Sequence, residues 1–90
     1  MARTRKTGRE EQYENQTYLD LLERVAHNTI RIRKAQKLTQ EKAAERCAMS
    51  TRMIQKIEGS ESNLTFTTLA RLCDGLGVEA VELLGRVASE

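Results

Sequence analysis

Proline and tryptophan are absent from this 90-residue chain, and Tyr13, Tyr18 and Phe66 are its only aromatic residues. With no proline to interrupt them, the abundant Leu, Ala, Glu, Lys, Arg and Gln favour helix. Cysteine occurs twice, as Cys47 and Cys73, 26 residues apart, which is neither a metal-ligand nor a redox-pair spacing. His27 is the single histidine and has no Cys, Asp or Glu partner at a recurring ligand spacing. A metal centre and a nucleophilic triad are therefore not expected, nor is any cofactor, and nothing points to an enzyme. No apolar run approaches the ~20 residues of a membrane span. The basic start Met-Ala-Arg-Thr-Arg-Lys leads into Gly8 and acids rather than an apolar segment, so it is no secretory signal. The cytoplasm of a bacterium, or of a phage-infected one, is the expected setting. Ninety residues suffice for one small core.

What is present is concentrated in residues 39–58. Thr39 and Ser50 are good N-cap residues, because a side-chain oxygen can accept from a free backbone N–H of the first turn. Ala43, Ala44 and Cys47 lie between them, small enough to let two helices approach. After Ser50, Ile54 and Ile57 face inward while Thr51, Arg52, Gln55 and Lys56 face outward. A short capped helix crossing another, with long polar side chains on its free face, is the helix-turn-helix layout.

The wider pattern predicts an all-α fold of five helices. Thr17-x-x-Asp20 reads as a capping box for helix one, about 18–36, with Leu22, Val25, Ala26, Thr29, Ile32 and Ala35 at helical spacing. Helix two is expected at about 40–47 and helix three at about 51–58, ended by a left-handed Gly59. Thr65 caps helix four, about 66–75, with Phe66, Leu69, Leu72 and Cys73 inward and Gly75 or Gly77 at its end. Helix five, about 80–87, places Ala80, Leu83, Leu84 and Val87 at i, i+3, i+4 and i+7. Residues 1–16 read as a flexible basic and acidic arm, and residues 17–90 as the folded domain. Leu76-Gly77-Val78 follows a helix rather than a strand, so no phosphate loop is implied.

Charge is uneven. Residues 1–9 hold Arg3, Arg5, Lys6 and Arg9 and no acid, whereas residues 10–20 hold Glu10, Glu11, Glu14 and Asp20 and no base. Around the two short helices, Arg31, Arg33, Lys34, Lys37, Lys42 and Arg46 outweigh Glu41 and Glu45. Residues 63–90 are acidic on balance, with Asp74, Glu79, Glu82 and Glu90 against Arg71 and Arg86. Such an asymmetry suits a nucleic-acid face and a separate partner face.

The stretch from Leu38 to Glu58 resembles the phage-repressor helix-turn-helix of the Xre/Cro type. Leu38, Thr39, Gln40, Glu41, Ala44, Ser50, Ile54, Ile57 and Glu58 match its pattern. Ala43 stands where Leu is usual, Ala48 where Gly is usual and Met49 where Val is usual. The likeness continues through Leu69-Ala-x-Leu72 and Leu76-Gly77-Val78, covering roughly residues 20–85. It implies a five-helix lambda-repressor-like domain that binds double-stranded DNA. Carried onto this chain, it places base contacts at Thr51, Arg52, Gln55 and Lys56, with Ser50 beside them and Gln40 at a phosphate. Arg52 can give two parallel donors to guanine, Lys56 a third, and Gln55 a bond to adenine or phosphate. Arg33 and Glu58 occupy positions that pair as a partly buried salt bridge, and both cysteines stand where Ala is common, as small apolar groups.

The expected function is a sequence-specific regulator, foremost a dimeric repressor reading an inverted repeat through helix three. Arg3, Arg5 and Lys6 would wrap the duplex, and Leu64, Val81, Leu84 and Ala88 would form the homodimer surface. The alternative is an antitoxin-type protein whose main partner is another protein and whose DNA binding is autoregulatory. No small-molecule ligand domain is expected.

Overall fold

The structure, a computed structural model, describes residues 15–61 and 63–87. Within them the chain is all-helical: α1 Gln16–Ala35, α2 Gln40–Arg46, α3 Thr51–Glu58, α4 Phe66–Leu76 and α5 Ala80–Leu84. The arm residues Arg3, Arg5 and Lys6, and also Ala88, lie outside the described residues.

Each start has a local cause. Asn15, not Thr17, caps α1, its side chain accepting from the Tyr18 amide at 2.9 Å. The expected capping box at Thr17 and Asp20 is thus displaced by an asparagine two residues earlier. Asp20 instead accepts from the Gln16 side chain at 2.9 Å. Thr39, Ser50 and Thr65 cap α2, α3 and α4, accepting from the amides of Lys42, Met53 and Thr68. At α5, Glu82 reaches back to the Glu79 amide at 3.0 Å.

The ends differ from expectation in two places. Gly59 keeps an ordinary φ of −93°, and Ser60 takes the left-handed turn at φ 60°. Its neighbour Glu61 then donates its amide to the Lys56 carbonyl at 2.8 Å, tying off the last turn. Gly77 ends α4 at φ 70°. Gly75 lies inside α4 for another reason: a Cβ there would come within 2.7 Å of the Cys47 Cα. The absent side chain lets α4 sit directly against the end of α2.

The core is built from Val25 and Ile32 of α1, Leu38, Ala43, Ala44 and Cys47 around α2, Ile54 and Ile57 of α3, Leu72 and Leu76 of α4, and Leu83 of α5. Helix α1 packs on both α3 and α5, α2 packs on α3 and α4, and α4 touches α5. Several expected core positions are not core. Ala35 is exposed at the last turn of α1, and Phe66, at the first position of α4, is 88% exposed. Helix α5 stops at Leu84 because Gly85 turns to an extended backbone, which leaves Val87 outside the helix and exposed. Ala80 is only half-buried.

Candidate nucleic-acid interface

Helix α3 sorts its residues by face. Ile54 and Ile57 are buried, Thr51 and Met53 are half-buried, and Arg52, Gln55 and Lys56 are exposed. Positions 52, 55 and 56 are i, i+3 and i+4, so their side chains leave the helix on one side. Among the described residues neither Arg52 nor Lys56 makes an ion pair. The face therefore offers two cationic donors and an amide that no acid neutralises. Met53 packs at the edge of the core, as does Met49 in the preceding turn. Ser50 is committed to its cap, with its Oγ accepting from the Met53 amide at 3.1 Å.

A buried polar spine holds this face in place. Arg33 Nε donates to Glu58 Oε2 at 2.6 Å and Arg33 Nη2 to Glu58 Oε1 at 3.0 Å, a bidentate fork between α1 and the end of α3. The two side chains are only 12% and 6% exposed. The third arm of the guanidinium, Nη1, donates to the Leu38 carbonyl at 2.9 Å and so fixes the α1–α2 turn as well. Gln40 Nε2 adds a further donor to Glu58 Oε1 at 3.0 Å, and Gln40 Oε1 accepts from Gln55 Nε2 at 3.4 Å. The Gln40 side chain is thus turned toward the recognition helix rather than away from the domain.

The turn between α2 and α3 carries Ala48 at φ 55°, a left-handed conformation that suits the glycine usual there. Its carbonyl accepts from Arg71 Nη1 of α4 at 3.0 Å. Sequence reasoning missed Arg71 because a donor 23 residues away along the chain leaves no periodic trace. Both thiols are unreactive. Burial, only partly opposed by the Arg46 charge, pushes the Cys47 thiol above its ordinary value. Burial, with Asp74, Glu79 and Glu82 adding to it, does the same for the half-buried Cys73. Among the described residues no group of three or more His, Cys, Asp or Glu side chains could hold a metal ion, and no helix is long and apolar enough to cross a membrane.

The proposed partner face is assembled only in part. Val81 is 72% exposed, while Leu84 and Leu64 are half-buried and lean on the core. Phe66 joins them: Phe66, Leu64 and Leu84, with Tyr18, Leu21, Leu22 and Leu69, line an apolar groove of about 480 Å³ between α1 and α4.

With this geometry in hand, comparison with known proteins is decisive. A family model described as helix-turn-helix matches residues 30–83, more than half of the chain. The chain belongs to the helix-turn-helix family of DNA-binding transcriptional regulators. It is 35% identical over 66 residues to the uncharacterised HTH-type transcriptional regulator y4dJ of Sinorhizobium fredii, covering 73% of this chain and 86% of that protein. Its fold is similar to that of the hypothetical transcription factor NHTF from Neisseria, with a TM-score of 0.70 at 25% identity over 79% of this chain and 82% of the other. It is also similar to the restriction-modification controller protein C.AhdI from Aeromonas hydrophila, with a TM-score of 0.66 at 22% identity, covering 69% and 94% of the two chains. As a member of this family of regulators the chain is not an enzyme.

Proposed function

We propose that this regulator is a cytoplasmic, dimeric repressor that reads an inverted-repeat operator through α3. The observation that carries the proposal is the outer face of α3: Arg52, Gln55 and Lys56 are exposed together, unpaired with acids, on a helix pinned by the Arg33–Glu58 fork. Arg52 is assigned the bidentate contact to guanine O6 and N7, Lys56 a further donor one turn on, and Thr51 a hydroxyl and methyl group toward thymine. Ser50, Gln40 and the arm residues Arg3, Arg5 and Lys6 are assigned to the phosphate backbone, which positions without reading sequence. Repression follows most simply, because occupying a promoter needs only tight DNA binding.

The dimer is assigned to the apolar face made by Phe66 and Val81, flanked by Leu64 and Leu84. Exposed apolar side chains clustered around a groove are what an association surface requires. A two-fold dimer would set two copies of α3 about 34–36 Å apart, one turn of DNA, and hence call for half-sites ~10 bp between centres.

Selection from a randomised duplex pool, read by sequencing, tests the whole proposal. The expected product is an inverted repeat with that spacing. Arg52→Ala should weaken binding to the selected site by about 1–3 kcal/mol and leave random DNA nearly unaffected. Equal weakening on both would make Arg52 a phosphate contact. Phe66→Glu and Val81→Glu, at exposed positions that spare the core, should give folded monomers by light scattering with much weaker operator binding. Retention of a full-affinity dimer would move the interface elsewhere. A basic protein co-purifying with the chain, in place of the homodimer, would favour the antitoxin-type role.

A further inference from the structure

From the polar spine we infer that Gln40 is a positioning residue which sets the polarity of the Gln55 amide and so presents it for one adenine edge. The inference rests on the DNA-reading role proposed for α3. It begins from direction rather than distance. Glu58 Oε1 already accepts from Arg33 Nη2 at 3.0 Å, and a carboxylate paired with a guanidinium can only accept. Gln40, 3.0 Å from the same oxygen, must therefore turn its NH2 inward. That leaves Gln40 Oε1 facing the recognition helix, where it can only accept. Gln55, 3.4 Å away, must answer with an N–H. The charge of Arg33 is thus relayed through Glu58 and Gln40 to an exposed side chain, and each amide along the way has one permitted orientation.

The consequence lies in what Gln55 has left. One N–H is committed to Gln40, so its Oε1 and its second N–H remain, on known sides of the side chain. Adenine offers N6–H2 and N7 in the major groove, a donor beside an acceptor, and an amide meets both at once. A free glutamine can turn its amide over and meet this pair in either order. Held by Gln40 it meets it in one order, without ordering the side chain at the moment of binding. Guanine, with two acceptors at O6 and N7, satisfies only half of such an amide.

The test uses the full chain and the same randomised duplex pool, with Gln55→Ala, Gln40→Leu and Gln40→Lys beside the wild type. Gln40→Lys separates the two jobs of Gln40: a lysine still donates to Glu58 but offers Gln55 no acceptor. The wild type should enrich adenine at one position of each half-site, and Gln55→Ala should erase that preference. Both Gln40 variants should lower it by about tenfold while preferences at the positions read by Arg52 persist. In the DNA-free protein, the heteronuclear NOE of the Gln55 side-chain NH2 should fall toward a mobile value in both Gln40 variants. Persistence of the adenine preference in Gln40→Lys, or a Gln55 amide equally mobile with and without Gln40, would overturn the positioning role. Uniform loss at every position would make Gln40 a phosphate or structural residue instead. A wild type that enriches no sequence, yet shows the ordered Gln55 amide, would sink the DNA-reading role of α3 while sparing the relay.

Discussion

Helix α1 grips α3 near its C-terminal end through a charged side-chain pair, Arg33 with Glu58. One to two turns earlier it grips α5 through donors aimed at backbone. Asn28 Nδ2 donates to the Leu83 carbonyl at 2.9 Å and the Gly85 carbonyl at 3.1 Å, and Arg24 Nη1 reaches the Leu84 carbonyl at 3.3 Å. Arg31 in turn donates to Asn28 Oδ1 at 3.2 Å and so holds the amide in its orientation. The difference is functional. The recognition end needs a fixed geometry, and a bidentate fork supplies one at a desolvation cost. The α5 end needs only to end a five-residue helix whose last carbonyls would otherwise lack donors, and neutral hydrogen bonds suffice.

Breaking the recognition end should have the larger effect. Arg33→Ala strands the Glu58 carboxylate in a site where it is almost wholly shielded, and removes the donor to the Leu38 carbonyl as well. The expected loss is about 3–5 kcal/mol in urea unfolding. The double variant Arg33→Ala with Glu58→Leu should recover part of it, because no charge is then left without a partner. A loss below about 1 kcal/mol would mean that the pair behaves like a surface salt bridge.

Breaking the other end should cost less and stay local. Asn28→Ala deprives two carbonyls of their donor, but the Gly85 side of the contact is only part-buried, so water can replace one bond. We expect a loss of about 1–3 kcal/mol. Amide hydrogen exchange should quicken across α5 while protection in α2 and α3 is retained. Equal loss of protection in α3 would show that the two ends are one cooperative unit.

How legible each end was in the sequence follows from the same contrast. The α2–α3 half was readable because its devices are local: hydroxyl caps at Thr39 and Ser50, isoleucines three apart, and small residues where helices cross. The bounds of α3 are those expected, Thr51–Glu58. The Arg33–Glu58 pair was legible only through the family resemblance, since 25 residues separate its members. The α4–α5 half misled. Phe66 looked like core because it is apolar and lies three residues before Leu69, yet the first turn of α4 faces out. Helix α5 looked longer because Val87 keeps the spacing of Leu83 and Leu84; the chain bends at Gly85, where Asn28 meets its carbonyl. A buried asparagine reads in sequence as a solvated polar residue, and its backbone partners have no side-chain signature at all.

The smallest expected effect would sharpen the contrast rather than break it. Ala48 is the one residue between α2 and α3 with a positive φ, 55°, and an L side chain there pays for crowding between Cβ and the backbone. Glycine removes that crowding, but it also widens the choices of the unfolded chain, which takes back part of the gain. The net for Ala48→Gly should be a stabilisation of about 0.5–1 kcal/mol, seen as a higher urea midpoint at unchanged slope. The Arg71 donor to the Ala48 carbonyl uses only backbone on the turn side, so it survives the change. The gain should therefore appear at the α2–α3 end and leave exchange in α5 as it was. A destabilised Ala48→Gly variant would show that the methyl group makes a packing contact worth more than the strain it causes.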